Sequence, residues 1–364
     1  MVPLTRARLS IKSPIPSVED VGQRGGASVA VTIYDVAREA GVSAMTVSMA
    51  LRGDKRVRES TRQRVLEIAG RLGYTPNTVA RALVSGRTRT VGVYCQRVYG
   101  VLAARFVSAF GAGAAEVDYA VTLFDAPAGN GRVADAIGKF RGAKLEGMAF
   151  VATRLATEVL AGALQPSDRV VLMNHTGEGL QADAVWIDDA HAGREAAKHL
   201  MSLGHKRIAF VGGREDDHSM AGYLEGYRSA LREAGLEPRD EFTVFSPGDW
   251  FESVPRSVER LLKSDSRPTA IVCPHDRVAL LAAVTVRRSG LRVPEDVAVV
   301  GHYDLPDSRL AEAPLTTFDA QVDQVGRVAF ELLYERLTGK RDEPKRVRIE
   351  PKLIVRASSG AAQG

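Results

Sequence analysis

Between Thr32 and Gly73, apolar residues recur at three- and four-residue spacing in three short blocks. In IYDVAREA, Ile33, Val36, Ala37 and Ala40 fall on one helical face, and Thr32 stands where an N-cap hydroxyl is wanted. Gly41 supplies a turn. Ser43 caps a second block whose apolar stripe is Val47, Ala50 and Leu51, and Gly53-Asp54 closes it. A third block starts at Glu59 or Ser60 and runs through Val65, Ile68, Ala69 and Leu72 to Gly73. Two short helices across a glycine turn, with a third packed over them, predict a helix-turn-helix at residues 31–75. Pro76-Asn77 then opens NTVARALVSGRTRT, with Val79, Ala80 and Leu83 on one side of a helix too short to persist unless docked.

From Thr90 the pattern changes to strand-like runs: TVGVY, AVTLF, GMAFVA, RVVLM, AVWI, RIAFVG, FTVF, AIVC and VAVVG. Helical runs such as AGREAAKHLMSLG and AGYLEGYRSALREAG separate them. Alternation of this kind predicts an α/β body with parallel sheets and right-handed crossovers, and ligands beyond the carboxyl ends of the strands.

Length and charge sharpen this division. A chain of 364 residues holds two or three domains, and its 26% charged and 45% hydrophobic content is that of an ordinary globular protein. Residues 31–90 carry 11 Lys/Arg against 5 Asp/Glu, whereas residues 91–364 carry 34 against 37. That asymmetry points to a polyanion-binding module attached to a near-neutral body. Residues 1–30, with frequent Pro, Gly and Ser and no continuous apolar stretch, read as a disordered extension without a secretory signal. No apolar run is long enough to span a bilayer. Cys95 and Cys273 lie in apolar strand-like runs and are expected as buried thiols in a reducing compartment.

Catalytic and metal chemistry finds no support. The seven His lack metal spacing, and neither a G-x-S-x-G nor a paired-carboxylate arrangement occurs. FGAGAAE (110–116) sits late in a helical run and so fails as a dinucleotide fingerprint. No enzyme activity, cofactor or metal is expected. His205 is expected in a surface turn, and the charge run at 340–348 as a solvated end.

The run T32-I-Y-D-V-A-R-E-A-G-V-S…T-V-S…L51, then T61-R…V65…L72-G-Y-T-P-N77…V79-A-R-A-L83…G-R-T…V-G-V, resembles the LacI-type (lactose-repressor-like) transcriptional regulators without a gap from Thr32 to Val93. The likeness continues through 192–213, 224–236, 267–280, 290–304 and 314–317. It implies a helix-turn-helix at 31–75, a hinge helix and linker at 76–89, a periplasmic-binding-protein-like ligand-binding and dimerisation domain at 90–358, and a tail at 359–364. The body would have one subdomain at about 90–187 plus 316–342 and a second at about 188–315 plus 343–358.

The resemblance further implies a cytoplasmic homodimer, away from membranes, on near-palindromic double-stranded operator DNA. The second helix would lie in the major groove, and paired hinge helices in the minor groove would wedge Leu83 into the central step, with Asn77 and Ala80 beside it. Tyr34, Ser43, Thr46, Ser48 and Thr61 match positions that touch backbone or groove, and Arg56, Arg58 and Arg81 would neutralise phosphates. Ala44, Met45 and Met49 match base-reading positions, yet all three are apolar here. Such side chains pack on a thymine methyl but form no bidentate pair with guanine. Arg52 is the candidate to reach what Met49 does not. Two readings stay open: a different operator, or low specificity.

The expected effector pocket departs from the family. An Arg becomes Tyr223, an Asn-Asp pair becomes His275-Asp276, an Asp-Asp pair becomes Tyr303-Asp304, and Trp250 matches an aromatic that stacks on sugar rings in some members. The Asn-Pro-Phe signature is replaced by Arg97-Val98-Tyr99-Gly100. These residues suggest an aromatic-lined cleft with one or two carboxylates, for a sugar-like or flat, aromatic-stacking ligand, cations included. The competing expectation is a partly filled cleft with a weak ligand or none. The implied function is that of a sequence-specific DNA-binding transcriptional regulator, a repressor, whose operator affinity a small molecule sets. A solute-binding protein for uptake or chemoreception, without DNA function, is the alternative.

Overall fold

The computed structural model describes residues 31–75, 82, 86–96, 98, 100–126, 132–151, 155–213, 218–246 and 248–360. The expected extension at 1–30, and Asn77, Ala80, Arg81 and Leu83 of the expected hinge, lie outside the described residues. The chain divides into two units, Met1–Gly86 and Arg87–Gly364.

In the first unit, α1 spans Ile33–Ala40, α2 Ala44–Leu51 and α3 Glu59–Leu72. A reciprocal capping box starts α1: the Thr32 Oγ1 accepts from the Asp35 N–H, and the Asp35 carboxylate accepts from the Thr32 N–H at 2.9 Å. Gly41 ends it with φ 62°, a left-handed conformation that glycine adopts without a Cβ penalty. Ser43 caps α2, its Oγ accepting from the Thr46 N–H at 3.1 Å. Val36, Ala37, Ala40, Val47, Ala50, Val65, Ile68 and Ala69 form the core. The alanines let the helices approach closely. Val36, Val47, Val65 and Ile68 therefore carry most of the burial, at about 1.5–3 kcal/mol each.

The second unit holds two parallel sheets. The first contains β1 (Thr90–Gln96), β2 (Ala120–Ala126), β3 (Gly147–Val151), β4 (Val170–Met173), β5 (Asp183–Ile187) and β11 (Arg346–Ile349), in the order β2-β1-β3-β4-β5-β11. The second contains β6 (Ile208–Gly212), β7 (Thr243–Phe245), β8 (Ala270–Val272) and β9 (Ala298–Val300), in the order β7-β6-β8-β9. That order repeats β2-β1-β3-β4, so the two subdomains share one winding. A third, two-stranded sheet pairs β10 (Thr317–Asp319) antiparallel with β12 (Lys352–Ile354).

Each large sheet is covered on both faces, which is why its strands read as nearly continuous apolar runs. On the first sheet, α4 (Val101–Glu116) and α11 (Val322–Leu337) cover one face, and α5 (Val133–Gly142) and α6 (Thr157–Ala163) the other. FGAGAAE lies inside α4, where a Cβ on Gly113 would stand 3.1 Å from the Phe330 ring. On the second sheet, α7 (Asp189–Ser202) and α8 (His218–Glu233) cover one face, and α9 (Trp250–Leu262) and α10 (Asp276–Arg288) the other. Cys95 and Cys273 are free and buried.

One expectation is corrected and two are refined. The chain at 343–349 belongs to the first subdomain, because β11 pairs parallel with β5, Ile349 opposite Ile187. The charge run at 340–348 is mostly exposed, as expected, but it is anchored: Arg341 Nη1 and the Lys345 N–H both donate to the fully buried Asp183, at 2.8 and 2.7 Å. His205 is half-buried, its Nδ1 lying 3.0 Å from Thr269 Oγ1, and burial lowers its pKa.

Candidate functional site

The first unit exposes an unusual surface. Tyr34 on α1 is 73% exposed and Met45 on α2 is 71% exposed, although both are large and largely apolar. Ser43 is exposed, while Ala44, Thr46, Ser48, Met49 and Thr61 are half-buried. The Ser43 and Thr46 hydroxyls lie 2.9 Å apart and bond to one another. Arg52 and Arg58 are exposed and form no ion pair with a described residue. Arg56 is differently placed: its guanidinium grips Asp54 through Nη2 at 2.7 Å and Nε at 3.1 Å. That bond holds the Asp54 carboxyl down at about 2. An exposed aromatic and thioether pair, with two exposed guanidinium groups nearby in sequence, suits a polyanion that also offers apolar edges.

The second unit contains a cleft of about 1070 Å³ at the carboxyl ends of both parallel sheets. Gln96, Val101 and Phe106 line one wall, Ser219, Trp250, His275, Arg277 and Tyr303 the other. Trp250, His275 and Tyr303 form a continuous aromatic wall, with ring centroids 5.0 Å and 5.6 Å apart and edge-to-face packing. The His275 Nδ1 accepts from the Arg277 N–H at 3.1 Å, so His275 caps α10. Burial first, then Arg277 and His302, hold its pKa at about 3, and the ring is neutral.

The other three expected pocket residues do not line this cleft. Tyr223 is fully buried among Phe210, Tyr227 and His302, and its hydroxyl has no hydrogen-bond partner among the described residues. Its position follows from helix packing: a Cβ on Gly193 would run into the Tyr223 carbonyl, and one on Gly226 into the Ala190 carbonyl. These close approaches draw α8 onto α7 and turn Tyr223 into the core. Asp276 is fully buried and accepts from the Thr317 hydroxyl at 2.5 Å and the Leu305 N–H at 2.6 Å. Burial raises its pKa to about 7 against those bonds. Asp304 is held by Arg309 at 2.5 Å and Arg356 at 2.6 Å.

A model of the bacterial regulatory proteins of the lacI family matches residues 32–77, and one of the periplasmic binding protein-like domain matches residues 197–359. Catabolite control protein A of Priestia megaterium is 33% identical over 331 residues, covering 90% of this chain and 99% of that relative. The chain belongs to the lacI family of bacterial regulatory proteins. The HTH-type transcriptional repressor PurR of Aliivibrio salmonicida is 28% identical over 328 residues, 90% of this chain and 98% of PurR. Among solved structures, a transcriptional regulator CelR–cellobiose complex matches with TM-score 0.67 at 30% identity, covering 90% of this chain and 99% of that one. The lac repressor dimer bound to operator and the anti-inducer ONPF matches with TM-score 0.79 at 25% identity, covering 91% and 99%.

As a lacI-family member the chain is a DNA-binding transcriptional regulator, not a solute-binding protein. Within its cleft, residues not singled out from the sequence stand alongside the aromatic wall. Asn174 follows β4 with φ 58° and donates from Nδ2 to Ser219 Oγ on α8 at 2.9 Å, joining the two subdomains. Arg277 was recognisable only as a residue beside the His275-Asp276 pair. Among the described residues no helix is long and apolar enough to cross a membrane, and no His, Cys, Asp and Glu cluster could hold a metal ion.

Proposed function

We propose that this regulator is a cytoplasmic repressor that binds a near-palindromic operator as a homodimer, and that a small molecule in the cleft sets its operator affinity. One observation carries the reading: a chain with an exposed reading surface at Tyr34 and Met45 also holds a roomy cleft spanning two similarly wound subdomains. A ligand that favours one subdomain angle shifts the population of DNA-competent molecules by its differential affinity for the two states. The segment at 76–89 transmits that angle, with Leu83 as the minor-groove wedge and Asn77, Ala80 and Arg81 beside it. Ala44, Met45 and Met49 meet thymine methyls, and Arg52 and Arg58 meet base edge or phosphate. The chain has no catalytic role in this account.

A gel shift with the adjoining intergenic DNA, at two salt concentrations, tests it. Salt-dependent, sequence-preferring binding is expected. Leu83→Ala should weaken specific binding far more than non-specific binding, and equal losses refute the wedge.

A further inference from the structure

Donors and carboxylates are sorted to different places around the cleft. Asp276 and Asp304 face inward, the first bonded to Thr317 and Leu305, the second to Arg309 and Arg356. Asp249 on the cleft wall caps α9 by accepting from the Phe251 N–H at 2.9 Å. The aromatic wall instead carries a donor pair. Because the His275 Nδ1 accepts from the Arg277 N–H, the proton of the neutral ring sits on Nε2, which has no partner among the described residues. Arg277 is exposed, lines the cleft and forms no ion pair with a described residue. Its charge acts on the imidazole beside it.

We propose that the cleft takes a planar aromatic carboxylate, its ring against Trp250 and Tyr303 and its carboxylate on the His275 Nε2–H and the Arg277 guanidinium. Offset and edge-to-face rings at these separations suit a flat partner, and a charge-assisted pair of donors suits a carboxylate. A polyhydroxylated ring needs acceptors for several hydroxyls, and the two inward carboxylates are already engaged. Among the described lining residues a cation would meet Asp249, one oxygen of which caps α9, and Asp307, both in a cleft that also holds the Arg277 charge. The proposal places the ligand's charge on the Arg277 side of the cleft, whereas a cationic ligand would be held from Asp249 and Asp307. The proposal rests on the reading of this cleft as the effector site.

Calorimetric titration of the full chain with benzoate, nicotinate and indole-3-carboxylate, against benzamide, benzylamine and cellobiose, tests it. At least one aryl carboxylate should saturate the chain and bind about tenfold or more tighter than benzamide. Arg277→Gln should weaken that carboxylate about tenfold or more, and Arg277→Lys, which keeps the charge but not the fork, by less. A melting curve of each variant checks folding. Tighter binding of benzylamine or cellobiose, the absence of binding by all three carboxylates, or an indifferent Arg277→Gln overturns the proposal. The same samples are run on operator DNA. Sequence-preferring DNA binding without carboxylate binding removes the proposal and leaves the regulator reading. Carboxylate binding without sequence-preferring DNA binding removes the effector reading.

Discussion

Asn174 Nδ2 donates to Ser219 Oγ at 2.9 Å, and the two residues belong to different subdomains. Asn174 is buried and adopts φ 58°, a conformation that asparagine tolerates better than most residues. The bond is therefore part of what distinguishes this subdomain angle from any other. Ser219→Ala should lower the stability of this arrangement by about 0.5–1.5 kcal/mol. The urea midpoint should fall, and the ratio of operator Kd with and without a cleft ligand should change by roughly two- to tenfold. An unchanged ratio would show that the contact does not report on the angle.

Asp276 makes stability depend on pH. Its carboxyl titrates near 7 when folded, against an ordinary value of 3.8, because burial outweighs its hydrogen bonds. The folded chain thus keeps a proton that the unfolded chain has lost. The resulting stability is fully present below about 4 and is lost as pH rises through about 7. His275, depressed to about 3 from 6.5, acts in the opposite sense as pH falls, so the wild-type curve alone mixes the two. The difference between wild type and Asp276→Asn isolates the carboxyl. Urea unfolding across this window should show the wild type losing stability relative to the variant as pH rises. A difference independent of pH contradicts the assignment.

The cap on α2 is a local and separable device. Ser43→Ala removes the acceptor for the Thr46 N–H and should cost about 1 kcal/mol. Amide exchange at Thr46 should then quicken roughly fivefold, provided that these amides exchange by local opening. No change there would mean that the Ser43 cap is not what holds the first turn.

Met45 should set operator preference through shape rather than hydrogen bonding. Binding-site selection with the wild-type chain should recover A·T pairs at the half-site positions it faces. Met45→Gln should move that preference toward adenine edges on the same strand, by about 1–3 kcal/mol per good bidentate pair. Recovery of the central step alone, with no flanking preference in either protein, would mean that α2 reads little.

Much of this architecture was legible because local and global signals agree. Thr32, Gly41, Ser43 and Gly73 fall at helix ends in the sequence and are helix ends in the structure. Nine strand-like runs are nine of the strands. β11 was missed because RVRI sits in a dense charge run, whose Arg341 in fact answers the buried Asp183. The cleft was half legible. Trp250, His275 and Tyr303 were identifiable by position, and all three line it. Tyr223, Asp276 and Asp304 occupy equally suggestive positions, but sequence position does not fix where a side chain points. The close approach of α7 and α8 turns Tyr223 inward, Thr317 and Arg356, distant in sequence, claim one carboxylate each, and the nearby Arg309 also binds Asp304.

The most direct measurement is fluorescence polarisation of a labelled duplex recovered by binding-site selection, titrated with the full chain with and without a ligand that saturates the cleft. Sequence-preferring binding that weakens steeply with salt is expected, with a Kd that shifts about fivefold or more when the ligand is present. A Kd unmoved by a saturating ligand, or equal affinity for selected and scrambled duplexes, would contradict the account.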